Sequence, residues 1–95
     1  MQIKIDSNFG LYGLPEESEI HLDGPRVTLR MVLEELAKRS SARVNYINPL
    51  TGAVDPTDFI LGINGVSNSG SRDDLGVVLN EGDTVRIHIT PMEGG

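Results

Sequence analysis

Few side chains in this sequence could do chemistry. The chain has no cysteine, and nothing pairs its two histidines, His21 and His88, at metal-ligand spacing. Asp73 and Asp74 are adjacent carboxylates without further ligands, which is typical of a solvated loop. No carboxylate close to His88 in the sequence marks it as a catalytic base. These patterns disfavour an enzyme with its own catalytic site, and we expect the chain to bind neither a metal nor a cofactor.

The size and charge of the chain disfavour several other functions. With 95 residues, 38% of them hydrophobic and no tryptophan, the sequence predicts one domain with a thin core and no deep pocket. The formal net charge of −6 disfavours nucleic acid and anionic membranes, which bind through lysine and arginine, and would better suit a basic protein partner. There is no leader pattern and no apolar stretch of the ~20 residues that a membrane span needs, so we expect a cytoplasmic protein.

The elements that must position any functional residue follow from hydrophobic periodicity. Apolar residues recur at helical spacing between Thr28, a candidate N-cap, and Arg39, which predicts the main helix. Alternating or continuous apolar runs predict the strands. Strands are predicted at residues 1–6, from residue 19 to the Asp23-Gly24 turn, at residues 59–63, in a short segment that begins at residue 66, and at residues 84–90. This order predicts an α+β domain in which one helix packs on one face of a mixed sheet of four to five strands.

Turn signals separate these elements. Asn64-Gly65 is a strong hairpin signal because both turn positions need positive φ, and Glu81-Gly82-Asp83 predicts a tight turn before the last strand. Residues 7–18 and 40–58 are interpreted as loops, and the sequence assigns no role to the second. A single helical turn is expected around Leu75. The predicted core consists of Ile3, Ile5, Leu29, Val32, Leu33, Leu36, Leu61, Leu75, Leu79, Val85 and Ile87.

The last third of the chain carries a family resemblance. The segment from Leu79 to Ile87 (LNEGDTVRI) is followed within ten residues by Gly94-Gly95. This combination resembles the closing pattern of the MoaD/ThiS family of ubiquitin-like sulfur carriers. The hairpin at 63–66 and the helix start at 27–29 are also similar to that family. The resemblance implies a ubiquitin-like β-grasp domain over residues 1–90 and a flexible C-terminal tail over 91–95.

The resemblance also implies a chemical route. A ubiquitin-activating-type enzyme, which would hold the ATP and the metal, adenylates the Gly95 carboxylate. Sulfur then replaces AMP to give a thiocarboxylate, which a downstream synthase uses in biosynthesis of the molybdopterin or thiamin type. Glycine has no Cβ, so Gly94 and Gly95 suit a backbone that threads into a narrow active site. The chain would then be a carrier or an accessory subunit rather than an enzyme.

A second functional surface is expected on the sheet face away from the helix. Arg86, His88 and Thr90 share one face of the last strand, and together with Met92 they are the candidate contacts for the activating enzyme. A solvated strand face is an equally good interpretation of these residues. Two other functions stay open, namely a ubiquitin-like modifier joined to target lysines and a β-grasp binding module without tail chemistry. The sequence leaves the receiving pathway and the oligomeric state open.

Overall fold

One α-helix packs on a five-stranded mixed sheet. The computed structural model describes residues 1–12, 18–39 and 46–90. The strands are β1 Gln2–Ser7, β2 Glu19–His21, β3 Phe59–Ile63, β4 Val66–Asn68 and β5 Thr84–Ile89, the helix is α1 Leu29–Arg39, and short 3₁₀ turns lie at Phe9–Tyr12 and Asp74–Gly76. The predicted α+β class is confirmed. No helix within the described ranges is long and apolar enough to cross a bilayer.

The last strand occupies the middle of the sheet. The strand order is β2-β1-β5-β3-β4. β5 pairs in parallel with β1, with Val85 opposite Ile5, and antiparallel with β3, with Ile87 opposite Leu61. The outer strands β2 and β4 each form an antiparallel pair with one neighbour. The strand at the end of the described chain is therefore held on both sides.

The helix begins where its cap predicts. The Thr28 hydroxyl accepts a hydrogen bond from the Met31 backbone N–H at 3.3 Å, and the Thr28 carbonyl accepts one from Val32. This satisfies a donor of the first turn that otherwise has no intrahelical partner, and it confirms Thr28 as the N-cap. Lys38 and Arg39 lie in the last turn, where the helix dipole favours cations.

The predicted core is confirmed in full. The buried stripe of α1 joins the inward side chains of the three central strands in one cluster. Leu75, within the second 3₁₀ turn, and Leu79, just after it, are also buried in this cluster. The members that the sequence predicts are Ile3, Ile5, Leu29, Val32, Leu33, Leu36, Leu61, Leu75, Leu79, Val85 and Ile87.

The two segments interpreted as loops also supply core residues, which the sequence interpretation missed. Phe9, in the first 3₁₀ turn, stacks on Tyr46 with ring centroids 5.9 Å apart, and Tyr46 contacts Phe59 at 5.2 Å. Val54 is buried in the same core. Burial raises the pKa of the Tyr46 hydroxyl to about 12. A thin core gains stability from each aromatic ring that a loop contributes, because each buries a large apolar area.

The two predicted turns are confirmed and are joined to each other. Asn64 and Gly65 have φ values of 50° and 84°, as a two-residue hairpin of this type requires. The Asn64 amide donates to the Asp83 carboxylate at 2.9 Å and accepts from the Thr84 backbone N–H at 2.9 Å. The β3–β4 hairpin therefore fixes the start of β5 as well as its own register.

Leu33→Ala tests the packing of the helix on the sheet. The Leu33 side chain is completely buried. Its truncation should lower the free energy of unfolding by about 2–5 kcal/mol, because the surrounding core collapses only partly around the cavity. Urea unfolding of both proteins measures this difference. An unchanged free energy of unfolding would mean that the helix does not pack through this residue.

Candidate functional site

The sheet face opposite the helix, called the open face below, carries a small charged cluster on its central strands. Asp6 of β1 lies opposite Arg86 of β5 in the parallel register. Arg86 Nε donates to Asp6 Oδ2 at 3.1 Å, and His88 Nε2 lies 3.3 Å from Asp6 Oδ1. The exposed fractions of the Arg86, Asp6 and His88 side chains are 52%, 44% and 32%, so a partner protein can reach all three.

These contacts set the charge of the cluster. The hydrogen bond from His88 is the largest cause that lowers the pKa of Asp6 from its ordinary value, and Arg86 lowers it further. Partial burial opposes both, because it disfavours the charged carboxylate. Asp6 therefore stays ionised at neutral pH and offsets the charge of Arg86. The cluster therefore presents hydrogen-bond donors, held in position by Asp6, rather than a strongly positive surface.

An apolar side chain lies beside the charged cluster. Ile60 of β3 is opposite His88 on the same face, and half of its surface is exposed. Its neighbour on this face is Gly62, opposite Arg86, where a Cβ would lie 3.1 Å from the Val66 carbonyl oxygen. A side chain there would crowd the backbone, so the surface between Ile60 and Arg86 stays shallow. This sheet face therefore combines one exposed apolar group with the charged cluster.

The end of β5 is clamped from both sides. The Asn8 side-chain amide donates to the Ile89 carbonyl at 3.0 Å, and its oxygen accepts from the Ile89 N–H at 2.7 Å. On the other side, the Thr90 N–H donates to the Asp58 carbonyl at 2.9 Å. Asn8 thus replaces a strand partner at the point where β1 ends. The chain leaves the sheet at a fixed position.

The candidate contacts predicted from the sequence fall into three groups. Arg86 and His88 lie together on the open face, as the alternation of β5 predicts. Thr90 lies just past the strand, and its hydroxyl is buried with no hydrogen-bond partner in the described part of the chain. Met92, Gly94 and Gly95 lie outside the described residues. Within residues 1–12, 18–39 and 46–90, no three histidine, aspartate or glutamate side chains are grouped so that they could hold a metal ion.

A solved structure shares this architecture. The crystal structure of SAMP1 from Haloferax volcanii aligns with a TM-score of 0.70 over 100% of both chains, at 16% sequence identity. The fold is the ubiquitin-like β-grasp. A scan against protein-family models finds no match, and neither does a search of curated proteins. The similarity to SAMP1 concerns the fold, and the MoaD/ThiS resemblance stays a prediction.

Sequence reasoning missed two residues of this ubiquitin-like sheet. Asp6 ends the predicted first strand, and its link to Arg86 becomes visible only when that strand pairs in parallel with the last one. The alternation of β1 does place Asp6 on the outer face, so this signal was present in the sequence. Asn8 gave no signal, because its role depends on where β1 ends relative to Ile89.

Asp6→Asn tests the electrostatics of the cluster through pH. The pKa of Asp6 is lower in the folded protein than its unfolded value of about 4, so unfolding takes up protons as the pH falls through that window. The contribution of this carboxylate should be present above about pH 5 and disappear below the folded pKa, with a size of about 0–1 kcal/mol for so exposed a pair. Urea unfolding of both proteins over acidic pH measures it. A difference that does not change with pH would contradict this account.

Proposed function

We propose that this chain is a ubiquitin-like carrier protein whose reactive group is the carboxylate of Gly95. The observation that supports this is the position of β5, the central strand of a β-grasp sheet, directly before the segment that contains Gly94-Gly95. The clamp formed by Asn8 and Asp58 holds the strand up to Thr90. A tail that starts from a fixed point can be presented to an enzyme in one direction.

In the proposed reaction, a ubiquitin-activating-type enzyme supplies the nucleotide and the metal. An oxygen of the Gly95 carboxylate attacks the α-phosphorus of ATP, and pyrophosphate leaves. Sulfide then attacks the acyl carbon of the adenylate, the bond from that carbon to the phosphate oxygen breaks, AMP leaves, and Gly95 becomes a thiocarboxylate. A downstream synthase uses this sulfur in cofactor biosynthesis of the molybdopterin or thiamin type. The chain contributes a recognition surface and a backbone without Cβ atoms at its last two positions.

Contacts made by the open face would offset the free-energy cost of ordering the tail in the enzyme. Fixing the tail in the enzyme costs roughly 1–2 kcal/mol for each residue ordered. Surface burial elsewhere must offset this cost, and Arg86, His88 and Ile60 are grouped on the face that leads into the tail. We therefore assign these residues, with Met92, to the activating-enzyme interface.

The length of the tail tests the reactive group. With a cognate activating enzyme, the chain ending at Gly95 should support ATP–pyrophosphate exchange. Deleting Gly95, or adding one alanine after it, should abolish exchange, because the carboxylate would stop short of the nucleotide or overshoot it. Thermal unfolding should be the same for all three proteins, since neither glycine has a side chain to pack. Equal exchange from all three would refute the proposal.

The fate of the activated chain separates the remaining functions. Intact-mass measurement after incubation with a sulfur donor should show one oxygen of the chain replaced by sulfur. Isopeptide-linked products on target lysines without that replacement would instead identify a modifier. A chain that binds the partner without any exchange would be a binding module.

Arg86→Gln tests the partner surface. Loss of the guanidinium should weaken binding to the activating enzyme about five- to tenfold, the effect of removing an interface contact worth somewhat more than 1 kcal/mol. Arg26→Gln is the matched control, because Arg26 is exposed before the helix and its loss changes the net charge equally. Calorimetric titration compares the two variants. If Arg86→Gln lowers only the stability of the domain and leaves the affinity intact, Arg86 is structural.

A further inference from the structure

We propose that a cleft on the helix side of the sheet binds a phosphate-bearing anion. The cleft lies between α1 and the two loops around residues 51–53 and 71–73, and its volume is about 760 Å³. It shares no residue with the charged cluster of the open face or with the clamp on β5. Its lining consists of Arg30, Thr51, Ala53, Ser71, Arg72 and Asp73.

Two guanidinium groups converge at this cleft on a single glycine. Arg30 Nη2, from the first turn of α1, donates to the Gly52 carbonyl at 2.8 Å. The Arg72 side chain approaches the same residue from another direction, with Nε 3.2 Å from the position of a Cβ on Gly52. Gly52 has a φ of +71°, so both its conformation and this contact disfavour a side chain there. The loop therefore brings two cations towards one point.

No carboxylate among the described residues forms an ion pair with these two cations. The ion pairs among the described residues involve other side chains, and neither Arg30 nor Arg72 has a carboxylate oxygen within 4.0 Å there. Asp73 also lines the cleft, but among the described residues neither arginine forms an ion pair with it or with another carboxylate. An anion between them would relieve their repulsion and accept charge-assisted hydrogen bonds from both.

Two hydroxyl groups add donors that a phosphate can use. The Thr51 hydroxyl oxygen accepts from the Ala53 N–H at 3.2 Å, and the Ser71 oxygen accepts from the Asp74 N–H at 3.1 Å. Each hydroxyl proton can still donate to a further acceptor. Two guanidinium forks and two hydroxyl donors exceed what the two oxygens of a carboxylate can accept, whereas a phosphate offers more oxygens. A phosphate group therefore fits this set of donors better.

Asp73 gives the site a built-in opposing charge. Asp73 lines the same cleft, and its negative charge would repel a phosphate bound there. Removal of this charge should therefore strengthen binding, while removal of Arg72 should weaken it. A change in net charge alone would give effects of the same sign, so a matched charge change outside the cleft, Arg26→Gln, is needed to show that binding depends on this site.

The experiment titrates the full chain at constant ionic strength with inorganic phosphate, AMP and adenosine. Backbone amide shifts in NMR spectra report the position of binding, and calorimetry reports the affinity. We expect saturable shifts at Arg30, Gly52 and Arg72 with phosphate and with AMP, and none there with adenosine. Tighter binding of AMP than of phosphate would assign the cleft to a nucleotide, and the reverse order to the free anion.

Three variants complete the test. Arg72→Gln should weaken binding about tenfold or more, the effect of losing a charge-assisted hydrogen bond. It should still fold, since Arg72 makes no hydrogen bond within the described residues. Asp73→Asn should bind severalfold more tightly, and Arg26→Gln, outside the cleft, should bind as the unmodified chain does.

Three results would overturn the proposal. The first is the absence of saturable shifts at the cleft up to about 10 mM phosphate or AMP, a range that already covers weak binding. The second is equal weakening by Arg72→Gln and Arg26→Gln, which would reduce the effect to net charge. The third is equal binding of AMP and adenosine, which would place recognition on the base. None of these results depends on the chemistry proposed for Gly95.

Discussion

The pairing of β5 between β1 and β3 is the constraint on which the rest of the structure depends. Val85 and Ile87 of this strand are completely buried, and they form the floor on which the helix packs. Because β1 lies at one end of the described chain and β5 at the other, the centre of the sheet forms only when distant segments meet. The cluster of Asp6 with Arg86 and the clamp of Asn8 on Ile89 both follow from this one pairing.

The sequence predicts the parts of this fold whose signals are local. The helical stripe from Leu29 to Leu36, the hairpin at Asn64-Gly65 and the alternation of β5 each depend on neighbours within a few residues, and the structure confirms them. The aromatic cluster of Phe9 and Tyr46 was missed, because its rings come from irregular segments without a period. The open face was predicted only in part. Its residues on β5 were identified, but their partner lies on another strand, and only the register reveals it.

The two sides of the sheet are built by different means. The open face is a product of strand register, since Asp6, Ile60 and His88 meet there because their strands pair. The cleft on the helix side depends on the loop at residues 46–58, which Tyr46 and Val54 anchor in the core. This anchoring gives the loop a physical role, because it holds Gly52 within hydrogen-bonding distance of Arg30 on the helix. One small core thereby supports two separate surfaces.

The parallel arrangement of β1 and β5 also decides how the domain bears a mechanical load. A pull applied beyond Thr90, against a hold at Met1, acts along the two adjacent strands in opposite directions. In a parallel pair the hydrogen bonds are spread evenly along the strands, so such a force shears them together instead of opening them one at a time. Forced unfolding is governed by the unfolding rate, which concerted rupture keeps low. The domain should therefore resist a pull along β5 more strongly than a pull that separates the two strands from one end.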